Sequence, residues 1–244
     1  MIELAGKTLV ITGASGGIGQ ALCLELAKEG VNLVLNARAR APLDELAKRC
    51  QEAGVKAGWM SGSAAGEEIA LRLVKRALEI GNFHGFIHAA GVLNPGPRVF
   101  ELSTGWFREI FEASVTAGYQ MARAAFPRLE AGGVAVFFGS GAAEMEVPGM
   151  GAYCAAKAAE EHLARQLAAE APHIVTFIFR PGVVDTRMTR GAANAEGGAA
   201  EGLRKRFGDY LKSGSMLAPG VPARALVTIL KTDPRRYHGK IARW

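Results

Sequence analysis

Uninterrupted apolar runs alternate with helical patterns from one end of the chain to the other. The runs are Thr8–Thr12, Asn32–Leu35, Gly85–His88, Val134–Phe138 and Ile174–Phe179, with Val55–Met60 a weaker sixth. A strand that is apolar throughout, without in/out alternation, is covered on both faces. The helical stretches between them are Ile18–Glu29, Leu43–Ala53, Glu67–Ile80, Thr104–Phe126 and Gly151–Ala169. Pro42 falls where the first turn of a helix tolerates proline. This alternation predicts an α/β fold built on a doubly wound parallel sheet. With no internal repeat and no long linker, residues 1–244 read as a single domain. One segment breaks the rhythm: Gly191–Ala200 (GAANAEGGAA), followed by the amphipathic Gly202–Lys212. Gly and Ala supply little to bury, so mobility is expected here. Two readings stand: a surface loop, or a substrate lid over 187–216, because ligands bind at strand ends in such sheets.

Composition narrows the class. Of 244 residues, 49% are hydrophobic, a normal fraction for a globular protein with a sizeable core. The three cysteines, Cys23, Cys50 and Cys154, have neither metal-ligand spacing nor a disulfide framework, which suits a reducing cytosol. The opening MIELAGKTLV lacks a signal-peptide pattern, and no run approaches the ~18 apolar residues of a membrane span. A cytoplasmic protein without a membrane partner is expected. The formal charge of +6 permits an anionic partner, either nucleic acid or a polyphosphorylated cofactor. The densest basic groups, LRKRF at 203–207 and PRRY at 234–237, carry no nucleic-acid motif. They read as solvated helix faces, and no nucleic-acid partner is expected.

The chemistry starts at the first strand, which runs into TGASGGIG (Thr12–Gly19) and then a helix. Glycines here let backbone approach a pyrophosphate, while the helix N-terminus offers unpaired N–H groups and the positive end of its dipole. The spacing is Gly13-x-x-x-Gly17-x-Gly19 rather than G-x-G-x-x-G. Further along, YCAAK places Tyr153 and Lys157 one helical turn apart, and Ser140 ends the fifth long strand thirteen residues before the tyrosine. On spacing alone, the Tyr153/Lys157 pair is either an ordinary exposed turn or a proton donor beside a cation. Reducing a carbonyl requires a hydride at carbon and a proton at oxygen. A phenol of ordinary pKa ~10 is a poor acid near neutrality, and a neighbouring ammonium stabilises its phenolate. Ser140 can hydrogen-bond the substrate oxygen, or simply cap a turn; flanking Gly139 and Gly141 bring no competing hydroxyl.

Together with Ala89–Gly91 and PGVVDT (Pro181–Thr186), these motifs run in the order found in the short-chain dehydrogenase/reductase family, which the chain resembles from Lys7 to its C-terminus. The resemblance implies a Rossmann-type sheet of about seven strands and NAD(P)-dependent carbonyl/alcohol chemistry. It implies a catalytic set of Ser140, Tyr153 and Lys157, with Ser114 in the slot where members usually carry an Asn that holds a relay water. It implies cofactor contacts from Gly13, Ser15, Gly16, Gly17, Ile18 and Gly19, from Ala89, Ala90 and Gly91, from Tyr153 and Lys157, and from Pro181, Gly182, Val184 and Thr186. No metal is implied.

After the second strand, an acid would hold the ribose 2′-hydroxyl of NAD. The chain reads LVLNARAR, with Ala37 in that slot and Arg38 next. A guanidinium suits a 2′-phosphate, so NADP(H) is expected with Arg38 as principal anchor; Arg40 either assists or is a solvated loop residue. The chain departs from the family in three places. Ser114 replaces the asparagine, HAAG (88–91) replaces N-N-A-G, and Gly62 stands where an acid would meet the adenine. His88 reads as a packed strand-end residue rather than an acid–base.

Within the family, FFGSGAA, PGVVDTRM and YHGKIARW look most like the sepiapterin and benzil reductase branch, which implies a ketone or vicinal diketone substrate. Val92–Leu93, Ala142–Met150 and the lid would wall the substrate pocket. Two rivals remain: an acyl-carrier ketoreductase docking through LRKRF, and a catalytically weak NADPH-binding regulatory protein. Family members usually pair through helices corresponding to Thr104–Phe126 and Gly151–Ala169. The second carries Ala152, Ala155, Ala156, Ala158 and Ala159, so a homodimer or homotetramer is expected.

Overall fold

A computed structural model describes residues 2–243. Met1 and Trp244, the ends of the expected domain and, for Trp244, the end of the YHGKIARW motif, lie outside the described residues. Seven parallel strands form one sheet in the order β3-β2-β1-β4-β5-β6-β7. They are β1 (Thr8–Thr12), β2 (Asn32–Ala37), β3 (Ala57–Ser61), β4 (Phe83–His88), β5 (Val134–Phe138), β6 (Val175–Phe179) and β7 (Ile241–Ala242). The weak sixth run is a true strand, shifted to Ala57–Ser61. The two-residue β7 was too short to show in the hydrophobic pattern.

Alternate side chains of each strand serve opposite faces. Leu9 and Ile11 of β1 join one core with Leu22 and Leu26 of α1 (Gly17–Lys28), Leu43 and Leu46 of α2 (Arg40–Glu52) and Leu226 of the C-terminal helix Gly220–Thr232. Val10, between them, faces the other core with Leu73 and Val74 of α3 (Glu67–Ile80). β1, β5 and β6 are buried at every position, which is why their sequences are continuously apolar.

The strand order reverses between β1 and β4, and that switch point opens the crevice in which open α/β sheets hold ligands. The expected helix over Thr104–Phe126 is not continuous. It divides into α4 (Thr104–Phe111) and α5 (Ala117–Ala125), joined by a π-helical turn over Glu112–Thr116. Such one-turn bulges re-aim side chains and recur at functional sites. After it comes α6 (Gly151–Glu170). The 187–216 region forms α7 (Arg187–Ala193) and α8 (Ala200–Ser213). The C-terminal helix is then α9 (Gly220–Thr232).

Two expectations need correcting. Ala192, Ala195 and Ala200 are buried in a third apolar cluster, and Ala199 N–H donates to Gly96 O at 2.9 Å. Small residues in the Gly191–Ala200 segment therefore bury by letting backbones approach closely, where little burial was expected. On α6, Ala152 and Ala156 pack inside the same cluster beside Tyr153, so of the five alanines near its start only Ala155, Ala158 and Ala159 are left at least partly exposed.

Candidate active site

A cleft of about 690 Å³ lies over the switch point. Its walls include Gly13, Ser15, Gly16, Gly17, Ile18 and Gly19 from the β1–α1 turn and Ala89, Ala90 and Gly91 from the end of β4. Arg38, Tyr153, Lys157, Pro181 and Thr186 also line it. Most of the residues singled out from sequence are thus brought together. Gly182, Val184, Ser140 and Ser114 are not among the lining residues. Val184 is buried and bridges Leu217, and Gly182 faces the same leucine. Ser140 follows the lining residue Gly139, and Ser114 is fully buried. Of the expected substrate walls, Val92 and Leu93 line the cleft, as do Arg187, Met188 and Gly191. Ala142, Val147 and Met150 instead pack in the third apolar cluster around Tyr153.

The β1–α1 turn is shaped for an anion. Gly13 has φ +69°, and a Cβ there would lie 2.6 Å from the Ala89–Ala90 backbone, so only glycine lets the turn close against β4. Gly16 caps α1 without a side chain, which leaves the first N–H groups facing the cleft. At the far end, Asn36 ties β2 to β3 by donating from Nδ2 to Met60 O (3.0 Å) and Gly62 O (3.1 Å). Arg38 is largely exposed and donates to Glu109 Oε1 at 2.6 Å, while Asn94 donates to Glu109 Oε2 at 3.2 Å. A phosphate meeting Arg38 must draw it from Glu109. Arg40 lies over the Trp59 ring instead, with its guanidinium carbon 5.2 Å from the centroid.

Tyr153 and Lys157, one turn apart on α6, are 9% and 3% exposed, and the lysine Nζ is 5.8 Å from the tyrosine ring centroid. Lys157 donates to Phe138 O (2.8 Å) and Glu160 Oε2 (2.7 Å). Burial pulls the ammonium's pKa down, but Glu160, Tyr153 and Glu161 together hold it above the usual lysine range. Glu160 is itself fully buried, and that burial, against the pull of Lys157, pushes its carboxyl up to about 7. Ser140 Oγ accepts from Ala142 N at 3.2 Å, which leaves its hydroxyl proton free to donate. Its N–H donates to Glu161 Oε1 at 3.1 Å. Glu161 is in turn clamped by Arg180, whose Nε and Nη2 donate at 2.8 and 2.7 Å. A Cβ on Gly139 would collide with Glu161 Oε1 and Ile178, so that position must be glycine.

His88 is buried and neutral. Its Nε2 donates to Ser114 O (2.9 Å) and its Nδ1 pairs with the Thr12 hydroxyl (2.7 Å); burial first, and then the Lys157 charge, push its pKa down to about 3. It is a packed residue, as the sequence suggested. Ser114 sits in the π-helical turn, and its Oγ has no hydrogen-bond partner. Sequence reasoning missed Glu160, Glu161, Arg180, Asn94 and Glu109. The one signal available was the adjacent acid pair three and four residues after the lysine, which on a helix reads as solvated surface.

A family model described as short chain dehydrogenase matches residues 7–197. An uncharacterized oxidoreductase of Schizosaccharomyces pombe is 28% identical over 248 residues, covering 100% of this chain and 98% of that protein. A hydroxynaphthalene reductase-like protein of Metarhizium anisopliae is 32% identical over 194 residues, covering 76% and 71%. Among solved structures, a short-chain dehydrogenase/reductase of Saccharomyces cerevisiae superposes with a TM-score of 0.86 at 26% identity, covering 96% of this chain and 94% of that one. No helix among the described residues is long and apolar enough to cross a membrane, and no group of three or more His, Cys, Asp or Glu among them could hold a metal ion.

Proposed function

The chain belongs to the short-chain dehydrogenase family, an NAD(P)-dependent oxidoreductase family, and from that premise we propose that it is an NADPH-dependent reductase of a small carbonyl compound. The observation that carries the proposal is the convergence, on one cleft, of the anion-shaped β1–α1 turn, the largely exposed Arg38 guanidinium and the Tyr153/Lys157 pair. The residues present fit the dinucleotide. The Gly13–Gly19 backbone would hold its pyrophosphate, Arg38 its 2′-phosphate, and Ala89–Gly91, Pro181 and Thr186 its nicotinamide half, with Gly182 and Val184 supporting from behind. When bound, the reduced nicotinamide supplies the hydride.

The chain supplies the proton. Tyr153 donates it to the carbonyl oxygen, Lys157 stabilises the phenolate left behind, and Ser140 donates a hydrogen bond to the same oxygen as negative charge grows there. Glu161 keeps Ser140 in place by accepting its N–H. The apolar cluster around Tyr153, with Val92, Leu93 and Met188, favours a ketone or vicinal diketone of the kind handled by the sepiapterin and benzil reductase branch. Helices α7 and α8 would act as the lid. The test is a panel of ketones and diketones assayed with NADPH and NADH side by side. NADPH consumption that Tyr153→Phe abolishes supports the reading, and turnover that survives Tyr153→Phe overturns it.

One observation favours a second reading. Ser114, in the slot where family members usually carry an asparagine, is fully buried and its Oγ has no hydrogen-bond partner. A regulatory protein that binds NADPH without turnover would be recognised by tight cofactor binding and inactivity on every carbonyl tested.

A further inference from the structure

Behind Lys157 lies a buried polar cluster of Glu160, His88 and Ser114 that carbonyl reduction by Tyr153 and Lys157 alone does not use. Glu160, one turn on from Lys157, gives Oε2 to the ammonium at 2.7 Å. Its other oxygen, Oε1, is buried and has no hydrogen-bond partner; His88 Nε2 lies 3.8 Å from it, and the proton there already goes to Ser114 O. The Ser114 hydroxyl is also buried and unpartnered. A Cβ on Gly91 would lie 3.8 Å from Lys157 Nζ and 3.9 Å from Ser114 Oγ, so the lysine and the serine hydroxyl face the same small space.

A carboxylate with one oxygen unsatisfied in a dry site costs free energy that a protonated carboxyl avoids. The charged groups around Glu160 are few. On its own helix they are Lys157 and Glu161; β4 contributes neutral His88, and Arg180 beyond β6 is committed to Glu161 and Glu144. Glu112 of the π-helical turn is exposed. Nothing therefore compensates a second negative charge next to Glu161 except Lys157. The raised ionisation of Glu160, near neutrality, agrees with this geometry.

Resting on the reductase reading above, we propose that Glu160 is a positioning residue that stores the proton used to recharge Tyr153 through Lys157. Hydride reaches the carbonyl carbon from the reduced nicotinamide, and the Tyr153 hydroxyl proton reaches the carbonyl oxygen. Lys157 returns a proton to the phenolate, and the Glu160 carboxyl returns one to the lysine. A half-turn about the soft terminal torsion of Glu160 brings the proton from Oε1 to the oxygen facing Nζ. One hydride and one proton are consumed, Glu160 is left as a carboxylate, and solvent reprotonates it between turnovers.

The test has two arms. In the first, infrared spectra of the purified chain are titrated across neutral pH. A protonated-carboxyl band that disappears with a midpoint near 7 and is missing in Glu160→Gln is expected. Should the Gln variant not fold, Glu160→Asp must shift that midpoint. In the second arm, Glu160→Gln lowers kcat about tenfold at neutral pH, leaves KM within about twofold, and removes the break near neutrality from the pH–rate profile. A carboxyl band that never titrates overturns the proposal, as does a Gln variant whose pH profile keeps the wild-type break. Absence of any carbonyl turnover by the wild type defeats the reductase reading instead, and the infrared arm remains decisive for Glu160.

Discussion

In the proposed reaction, Tyr153 is the residue on which the chemistry turns. Replacing it with Phe removes the proton donor while keeping the ring's packing in the third apolar cluster, so kcat should fall by at least about 10²-fold while NADPH affinity changes only a few-fold. Steady-state rates and a fluorescence titration with NADPH read the two effects separately. Arg38→Ala should weaken NADPH binding by roughly 10–100-fold, the worth of a charge-assisted contact of about 1.5–3 kcal/mol, and leave NADH binding almost unchanged. Equal losses for both cofactors would show that Arg38 does not read the 2′-phosphate. Both residues were legible in the sequence because their motifs are local: a turn of helix for one, a strand end for the other. Glu160 and Glu161 were not. Whether an acid on a helix faces water or a buried lysine depends on what packs against that face, and here the end of β5, His88 and Arg180 cover it.

At the scale of elements, β5 and α6 are locked together by the Gly139–Glu161–Arg180 contact. Gly139→Ala pushes a methyl into Glu161 and Ile178 and should cost about 3 kcal/mol, which lowers the melting temperature by roughly 6–12 °C in a chain of this size. Calorimetry checks it; a shift within a degree would mean that the strand end can yield. Buried ionisable groups on β4 and α6 give stability opposite pH dependences. Folded His88 refuses a proton down to about pH 3, whereas the unfolded chain accepts one near 6.5, so its contribution is lost as pH falls below 6.5. Folded Glu160 keeps its proton up to about 7, whereas unfolded it releases near 4.5, so its contribution is lost as pH rises through that window. Between pH 4.5 and 6.5 the two offset one another. Glu160→Gln should therefore lose more stability on acidification from 6.5 to 4.5 than the wild type, by up to about 1.4 kcal/mol per pH unit. Denaturant melts at the two pH values measure the difference, and parallel changes in both proteins would contradict the assignment. His84, held down to about 4, adds the same acid loss to both proteins.

Across the whole molecule, the exposed apolar surface is concentrated on and around α4 and α5. Phe100 is 81% exposed, and Trp106, Phe107 and Tyr119 are each at least 40% exposed. Exposed apolar side chains of this size are what a subunit contact would bury, and the proposed homodimer or homotetramer would cover them. Light scattering should give a mass of two or four chains, and Trp106→Glu combined with Phe107→Glu should reduce it. A wild-type monomer would refute the assembly. The basic groups do not contradict this picture. On α8, Leu203 and Phe207 are buried while Lys205 and Arg206 point outward, as expected of a solvated amphipathic helix.

Hydrophobic periodicity and a handful of short motifs were enough to indicate the α/β class, six of the seven strands, one of them weakly, the glycine turn and the Tyr153/Lys157 pair. Each of these is written in residues adjacent in the chain, where propensity and burial act at short range. Packing settled the rest. The π-helical turn that turns Ser114 inward, the burial of the Gly191–Ala200 alanines and the charge state of Glu160 all depend on side chains contributed by distant segments. A carboxylate three residues after a lysine is an ordinary surface pair in water. Sealed between β4, β5 and a turn of α6, the same carboxylate becomes a group that must find a cation or keep its proton.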